Sequence, residues 1–157
     1  LTHTVKALEP LGIKPEQVDW LRETLSADTK TPTLAVWHYP FLTCGGLSTC
    51  GYQLPAERVN QEVLDILEAA PNVIGTLAGH THWNHFHVHN RLHHVTNPAF
   101  CEWPNAYRVF RVYPDHVEWE LRQVGNRGFV RESFAPAKAL SWQISTVDND
   151  LRGTATL

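Results

Sequence analysis

The chain has 157 residues and a formal net charge of −3, with 43% hydrophobic and 18% charged residues. This composition is typical of a folded domain and excludes a disordered tail. No apolar run approaches the ~20 residues that cross a bilayer, so no membrane span is expected. Lys and Arg do not cluster, and we therefore expect no nucleic-acid-binding surface.

Two further features of the composition are ten histidines and the absence of methionine. A sequence without methionine does not contain its own translational start, so we expect that Leu1 is not the natural N-terminus. The first ten residues also lack the basic flank and apolar segment of a secretory signal. A cytoplasmic location is the resulting expectation.

The three cysteines do not form a disulfide framework, because their number is odd and no Cys-x-x-Cys pair occurs. Cys44 and Cys50 flank a glycine-rich loop, where either a local bridge or two free thiols fits the sequence. For Cys101 we expect a free thiol. Zinc binding through cysteine is not expected.

The first half of the chain alternates predicted helices and strands. Residues 15–28 have apolar residues at helical spacing behind a proline, which predicts a helix. Residues 33–38 and 73–78 are short apolar runs, typical of buried strands in a parallel sheet. Between them a second helix begins at Pro55 and ends before Pro71.

The second half is predicted to be mainly strands. The alternation of apolar and polar residues indicates strands near 84–89, 92–96, 106–113 and 116–122, of which the last two form a hairpin. From residue 125 onward the pattern is weaker and predicts a loop followed by one strand at 141–147. The whole chain is therefore predicted to be one α/β unit.

Histidines follow both apolar strands: His38 after the first, and His80 and His82 after the second. Ligands of open α/β sheets bind beyond the carboxyl ends of the strands, and Gly79 allows the chain to turn sharply there. Imidazole is a ligand for zinc, iron, manganese and nickel. Each histidine alone is explained by hydrogen bonds to neighbouring loops, but the three together favour a metal site.

At these residues the sequence resembles the calcineurin-like metallophosphoesterases. The family has a helix with the pattern Gln-x-x-Trp-Leu, matched by Gln17, Trp20 and Leu21. It then has a strand ending in His-x-Pro, matched by 38–40, and another ending in Gly-His-x-His, matched by 79–82. The resemblance extends over about residues 13 to 122.

The resemblance implies an α/β/β/α sandwich, of which this chain forms the C-terminal half. It makes residues 1–124 the C-terminal part of the metallophosphoesterase domain and 125–157 an extension. His38 and His80 would bind one metal and His82 a second, with the two metals (Mn, Fe, Zn or Ni) about 3.5–4 Å apart. The implied reaction is hydrolysis of a phosphate mono- or diester by in-line attack of a metal-bound water or hydroxide.

The family's first three motifs, Asp-x-His, Gly-Asp and Gly-Asn-His-Asp/Glu, are absent from the chain. They supply the bridging aspartate, further ligands and the histidine that protonates the leaving group. We therefore expect a missing N-terminal half that contains the general acid. The isolated chain should be inactive or nearly so, and it should self-associate through the apolar surface that this half would cover.

Other polar residues near the strand ends have less definite roles. Tyr39 and His85 are candidates for the rim of the substrate site, and Asn84 is a candidate for a hydrogen bond to a ligand histidine. A second set of histidines alternates along one predicted strand and continues on the next; its simplest interpretation is a solvated strand face, and the alternative is a substrate rim or an adventitious metal site. The set comprises His85, His87, His89, His93 and His94.

Two functions of other classes remain as alternatives to the hydrolase. One is a non-catalytic scaffold with the same fold, which would be expected to lack metal ligands. The other is a histidine-rich metal-binding module, which would hold several weakly bound ions instead of a defined pair.

Overall fold

The computed structural model describes residues 13–43, 46–47, 56–146 and 151–156. Within these ranges the protein is a mixed α/β structure, and none of its helices is long and apolar enough to cross a membrane. The helices are α1 (Pro15–Ala27), α2 (Ala56–Ala69), α3 (Arg127–Glu132) and α4 (Pro136–Ser145). The strands are β1 (Thr33–Val36), β2 (Leu42–Thr43), β3 (Gly46–Leu47), β4 (Val73–Ala78), β5 (His85–His89), β6 (Leu92–Thr96), β7 (Ala106–Val112), β8 (His116–Gln123) and β9 (Arg152–Thr156).

The main sheet has the strand order β1-β4-β6-β5. Strands β1 and β4 are parallel, as predicted from their apolar sequences. Strand β6 is also parallel to β4, and β5 is antiparallel to β6. The pairing of β1 with β4 continues beyond both strands, because Gly79 donates its backbone N–H to the carbonyl of His38 at 3.0 Å. The two histidine-bearing segments therefore leave the sheet side by side.

The hydrophobic core lies between the main sheet and the helices α1 and α2. It includes Val18 and Leu25 from α1, Leu67 from α2 and the fully buried Val73 and Leu92 from the strands. The apolar positions that predicted the two helices are thus the residues that pack on the sheet.

The first strand is less buried than its sequence predicts. None of the four residues of β1 is fully buried, and Val36 is 74% exposed. The prediction of a buried strand is confirmed for β4 and wrong for β1. The reason is position: β4 lies between two strands, whereas β1 is an edge of the sheet in the described part of the chain.

A second sheet, with the order β7-β8-β9, packs against the first through aromatic side chains. Trp119 on β8 lies against Phe86 on β5, with ring centroids 4.7 Å apart. Gly153 on β9 is needed here, because a Cβ atom at this position would overlap the indole ring of Trp119. The predicted hairpin of β7 and β8 is confirmed.

The C-terminal region differs from its prediction. Residues 141–147 were expected to form a strand, but residues up to Ser145 continue helix α4, which begins at Pro136. Proline suits the first turn of a helix, and the following Ala-Lys-Ala-Leu are strong helix formers. The strand of this region is β9 instead, and it pairs with β8. The domain division at residue 124 stays a prediction.

Candidate metal centre

The ends of β1 and β4 bring His38 and His80 together. The Nδ1 atom of His80 lies 3.2 Å from the Nε2 atom of His38. The ring of Tyr39 packs against both imidazoles, with its centroid 4.3 Å from that of His80 and 4.8 Å from that of His38. Burial, followed by repulsion from His38 and His82, lowers the pKa of His80, which favours the neutral imidazole that can bind a cation.

The separation of the two nitrogens fits a shared metal ion. Two ligand nitrogens about 2.0–2.1 Å from a tetrahedral metal lie about 3.3 Å from each other. The same distance also fits an N–H···N hydrogen bond between neutral imidazoles. In the described part of the chain, no group of three or more His, Cys, Asp or Glu side chains is arranged to hold a metal. The pair therefore fits as two ligands of a site whose further ligands lie elsewhere.

The backbone that carries the second and third histidines is strained. His80 and His82 have φ angles of 62° and 58°, in the left-handed region that non-glycine residues rarely adopt. Such conformations cost about 1–3 kcal/mol each and are concentrated at functional sites. The turn thus projects two imidazoles, separated by one residue, from the end of β4.

The third predicted ligand, His82, makes a contact that sequence reasoning missed. Its Nδ1 atom lies 2.9 Å from Oε2 of Glu102, and the same carboxylate oxygen is 2.5 Å from Nζ of Lys138. The hydrogen bond from Lys138 has the largest effect in lowering the pKa of Glu102. Glu102 follows β6 and Lys138 lies on α4, so no local spacing in the sequence signals this cluster.

Asn84 is fully buried, but its partners are not the predicted ones. Its side-chain oxygen accepts a hydrogen bond from Nη2 of Arg108 at 2.7 Å, and its amide nitrogen donates to Oγ1 of Thr146 at 3.2 Å. Arg108 also binds the side chain of Asn97. Asn84 therefore links the turn after β4 to β7 and to the end of α4, and its predicted role beside a ligand histidine stays a prediction.

Four histidines of the second set lie together on one face of β5 and β6: His85, His87, His89 and His94. Two of them, His85 and His94, are buried, so the prediction of a solvated strand face is wrong for these two, whereas His89 is exposed. His87 lies opposite His94 in the β5–β6 pairing, and their rings stack with centroids 5.2 Å apart. His85 stacks on His87 at 4.9 Å, and His89 lies 6.4 Å from His94. His85 and His94 are only 8% and 3% exposed.

Two stacked histidines of this cluster, His87 and His94, are neutral at ordinary pH. Burial, with smaller contributions from the neighbouring histidines, lowers the pKa of His87 to about 4 and that of His94 to about 3. Oγ1 of Thr76 lies 2.9 Å from Nδ1 of His94. His85 packs within this cluster, and its role at the rim of a substrate site stays a prediction. His93 points to the other face of the sheet, against Phe86.

The cysteines are described only in part, because two of the three lie outside the described residues. Cys101 is free and exposed, as expected. Cys44 and Cys50 lie outside the described residues, so the choice between a local bridge and free thiols stays a prediction.

No family model matches the chain. Among curated proteins, it is similar to the manganese-dependent ADP-ribose/CDP-alcohol diphosphatases of two frogs. The Xenopus tropicalis protein is 27% identical over 128 residues, and the Xenopus laevis protein 31% identical over 113 residues; each match covers 68% of this chain. The matches cover 31% and 30% of these relatives. The chain thus spans about a third of the length of the curated relatives it matches.

Proposed function

We propose that this chain forms part of the active site of a metal-dependent phosphohydrolase of the calcineurin-like metallophosphoesterase type. The observation that carries the proposal is the His38–His80 pair at the adjoining ends of two parallel strands, with ring nitrogens 3.2 Å apart. The similarity to manganese-dependent diphosphatases supports the same reaction class. In this proposal His38 and His80 bind one metal and His82 binds a second.

The residues of the chain have separate tasks in the proposed reaction. When bound, two divalent or trivalent transition metals supply positive charge that stabilises the phosphoryl oxygens and activates water as a nucleophile. His38 and His80 present their imidazoles to one cation, and Tyr39 packs against both rings and limits their rotation. His82, from the same turn as His80, faces the second position.

The substrate is proposed to be a phosphate ester or a diphosphate linkage. The resemblance in sequence motifs implies a phosphate mono- or diester, and the two relatives are named as diphosphatases of ADP-ribose and CDP-alcohols. A diphosphate group carries several oxygens that two adjacent cations can bind at once. We therefore propose nucleotide-type diphosphates as the first substrates to test.

The three histidines do not complete a dinuclear site. A pair of cations also needs anionic ligands, and a general acid is needed for the leaving group. We propose that a preceding N-terminal half supplies both and covers the exposed edge strand β1. The exposed Val36 on this strand is a position through which the isolated chain would self-associate.

The test compares two proteins: the 157-residue chain, and the same chain extended by the coding sequence upstream of Leu1. Each is incubated with ADP-ribose, a CDP-alcohol and a simple aryl phosphate in the presence of Mn²⁺, Fe²⁺ or Zn²⁺. We expect the extended protein to hydrolyse at least one of them and the shorter chain to be nearly inactive. Failure of the extended protein on every substrate with every metal would refute the hydrolase proposal.

Variants assign the activity to the proposed site. We expect H38A in the extended protein to reduce kcat/KM at least about 100-fold, because loss of a ligand should exceed the 10–100-fold effect of residues that only orient ligands. H116A, which removes a histidine of the β7–β8 hairpin, is the matched control and should retain activity. Metal analysis of the extended protein separates the alternatives: a scaffold would bind no metal, and a histidine-rich module would bind several ions weakly.

A further inference from the structure

We propose that Glu102 is a positioning residue that holds His82 in one orientation and one tautomer, and that Lys138 of helix α4 holds Glu102 in turn. The inference rests on the proposed role of His82 as a metal ligand. It assigns a function to two residues that no motif indicated, and it makes the C-terminal region part of the site.

The contact of His82 with Glu102 decides which ring nitrogen of His82 carries the proton. Its Nδ1 atom is 2.9 Å from a carboxylate oxygen of Glu102, which is the distance of a charge-assisted hydrogen bond. An ionised carboxylate only accepts hydrogen bonds, so Nδ1 of His82 must carry the proton. The lone pair of the neutral ring is then on Nε2, which has no hydrogen-bond partner among the described residues.

A hydrogen bond from Nδ1 to a carboxylate orients a histidine that binds a metal through Nε2. Metal-binding histidines almost always donate their second ring N–H to a carboxylate, a backbone carbonyl or water, which fixes the tautomer and raises the basicity of the ligand nitrogen. His82 has this partner although its side chain is 44% exposed. An exposed imidazole would otherwise rotate freely, so Glu102 keeps Nε2 directed to one position.

Lys138 contacts the same carboxylate of Glu102 that His82 contacts. Nζ of Lys138 lies 2.5 Å from the same oxygen, Oε2 of Glu102, that accepts from His82. One carboxylate thus joins the turn after β4 to helix α4. Lys138 and His82 also line one cavity, together with Thr81, Trp83 and Trp142, so the contact lies at an open surface where a ligand can approach.

The first experiment reads the tautomer of His82 directly. Long-range ¹H–¹⁵N correlation spectra of the ¹⁵N-labelled 157-residue chain at pH 7.5 distinguish Nδ1–H from Nε2–H rings, and H82N assigns the signal. We expect His82 to be in the Nδ1–H form, and to shift toward the Nε2–H form, which free histidine prefers, in E102A. The inference is overturned if wild type is in the Nε2–H form or if E102A leaves the tautomer unchanged.

The second experiment measures Mn²⁺ and Zn²⁺ affinity by equilibrium dialysis of the upstream-extended protein, in which we propose that the ligand set of both metals is complete. We expect E102A to weaken binding about 10–100-fold and K138M about two- to tenfold, as for the loss of one hydrogen bond. E118A is the matched control: it removes a carboxylate that lies 3.7 Å from Nε2 of His116 and should not change affinity. Urea midpoints of all variants show whether the fold is retained.

The outcomes separate this inference from the proposed function. If H82N binds both metals as tightly as wild type, His82 is not a ligand and the proposed site is wrong. If H82N weakens binding but E102A does not, the metal site stands and the positioning role of Glu102 is refuted. If E102A weakens binding and K138M does not, the role of Lys138 alone is refuted.

Discussion

Acidification should destabilise the protein through the buried histidine cluster. His94 is 3% exposed, and burial lowers its pKa to about 3, followed in effect by repulsion from His87, His89 and His93. In the unfolded chain the same side chain titrates near 6.5. Between these values the unfolded state binds a proton that the folded state does not, so stability is fully present above pH 6.5 and is lost as the pH falls.

The magnitude follows from the difference between the two states. A pH of 5.0 lies about 1.5 units below the pKa of His94 in the unfolded chain. At about 1.36 kcal/mol per unit, protonation of the unfolded chain at His94 alone lowers the free energy of unfolding by about 2 kcal/mol. His87, whose pKa is lowered to about 4, acts in the same direction but contributes less because water partly screens it. Glu68 of α2 lies 3.5 Å from Nε2 of His89 and is the carboxylate facing this cluster.

Urea unfolding at pH 7.5 and pH 5.0 measures the effect in wild type, H94Q and the control H116Q. Glutamine removes the titrating group while keeping a polar side chain opposite Thr76. We expect the loss of unfolding free energy between the two pH values to be about 2 kcal/mol smaller in H94Q than in wild type, and unchanged in H116Q. Equal pH dependence of H94Q and wild type would refute the assignment of the acid sensitivity to a buried neutral His94.

Three further outcomes are expected. G75A should lower the free energy of unfolding by about 3 kcal/mol, because the new Cβ would overlap the backbone carbonyl of His93. The control G125A should be nearly neutral, because no atom lies within 4 Å of its new Cβ. Equal urea midpoints of G75A and G125A would contradict this prediction. N84A should cost about 1–3 kcal/mol, because it removes the hydrogen bond that Arg108 donates in the interior; a thermal midpoint equal to that of wild type would be inconsistent with that role. Dialysis of the upstream-extended protein against EDTA should abolish hydrolysis and Mn²⁺ should restore it, whereas activity that persists without detectable metal would exclude a metal-dependent reaction.

Local patterns in the sequence were sufficient for most of the secondary structure. The prediction of residues 73–78 as a strand is confirmed, and helix α1 begins where Pro15 indicates. Burial of one face of a helix or strand leaves a short-range pattern of apolar residues, and this pattern can be recognised without knowing what covers the face. The same is true of His38 and His80, since parallel strands place their carboxyl ends at one edge of the sheet.

Long-range packing decided the remaining features. The alternation of His85 and His87 predicts a shared face correctly, but whether that face meets water or a neighbouring element depends on the fold around it. Helix α4 and the edge position of β1 likewise depend on their surroundings. The contact of Glu102 with His82 joins residues 20 positions apart, and Lys138 reaches them from a third element. The sequence alone thus predicted which histidines bind a cation, and only the tertiary structure decided that Glu102 and Lys138 lie beside His82, because hydrogen bonds between distant segments leave no periodic signal.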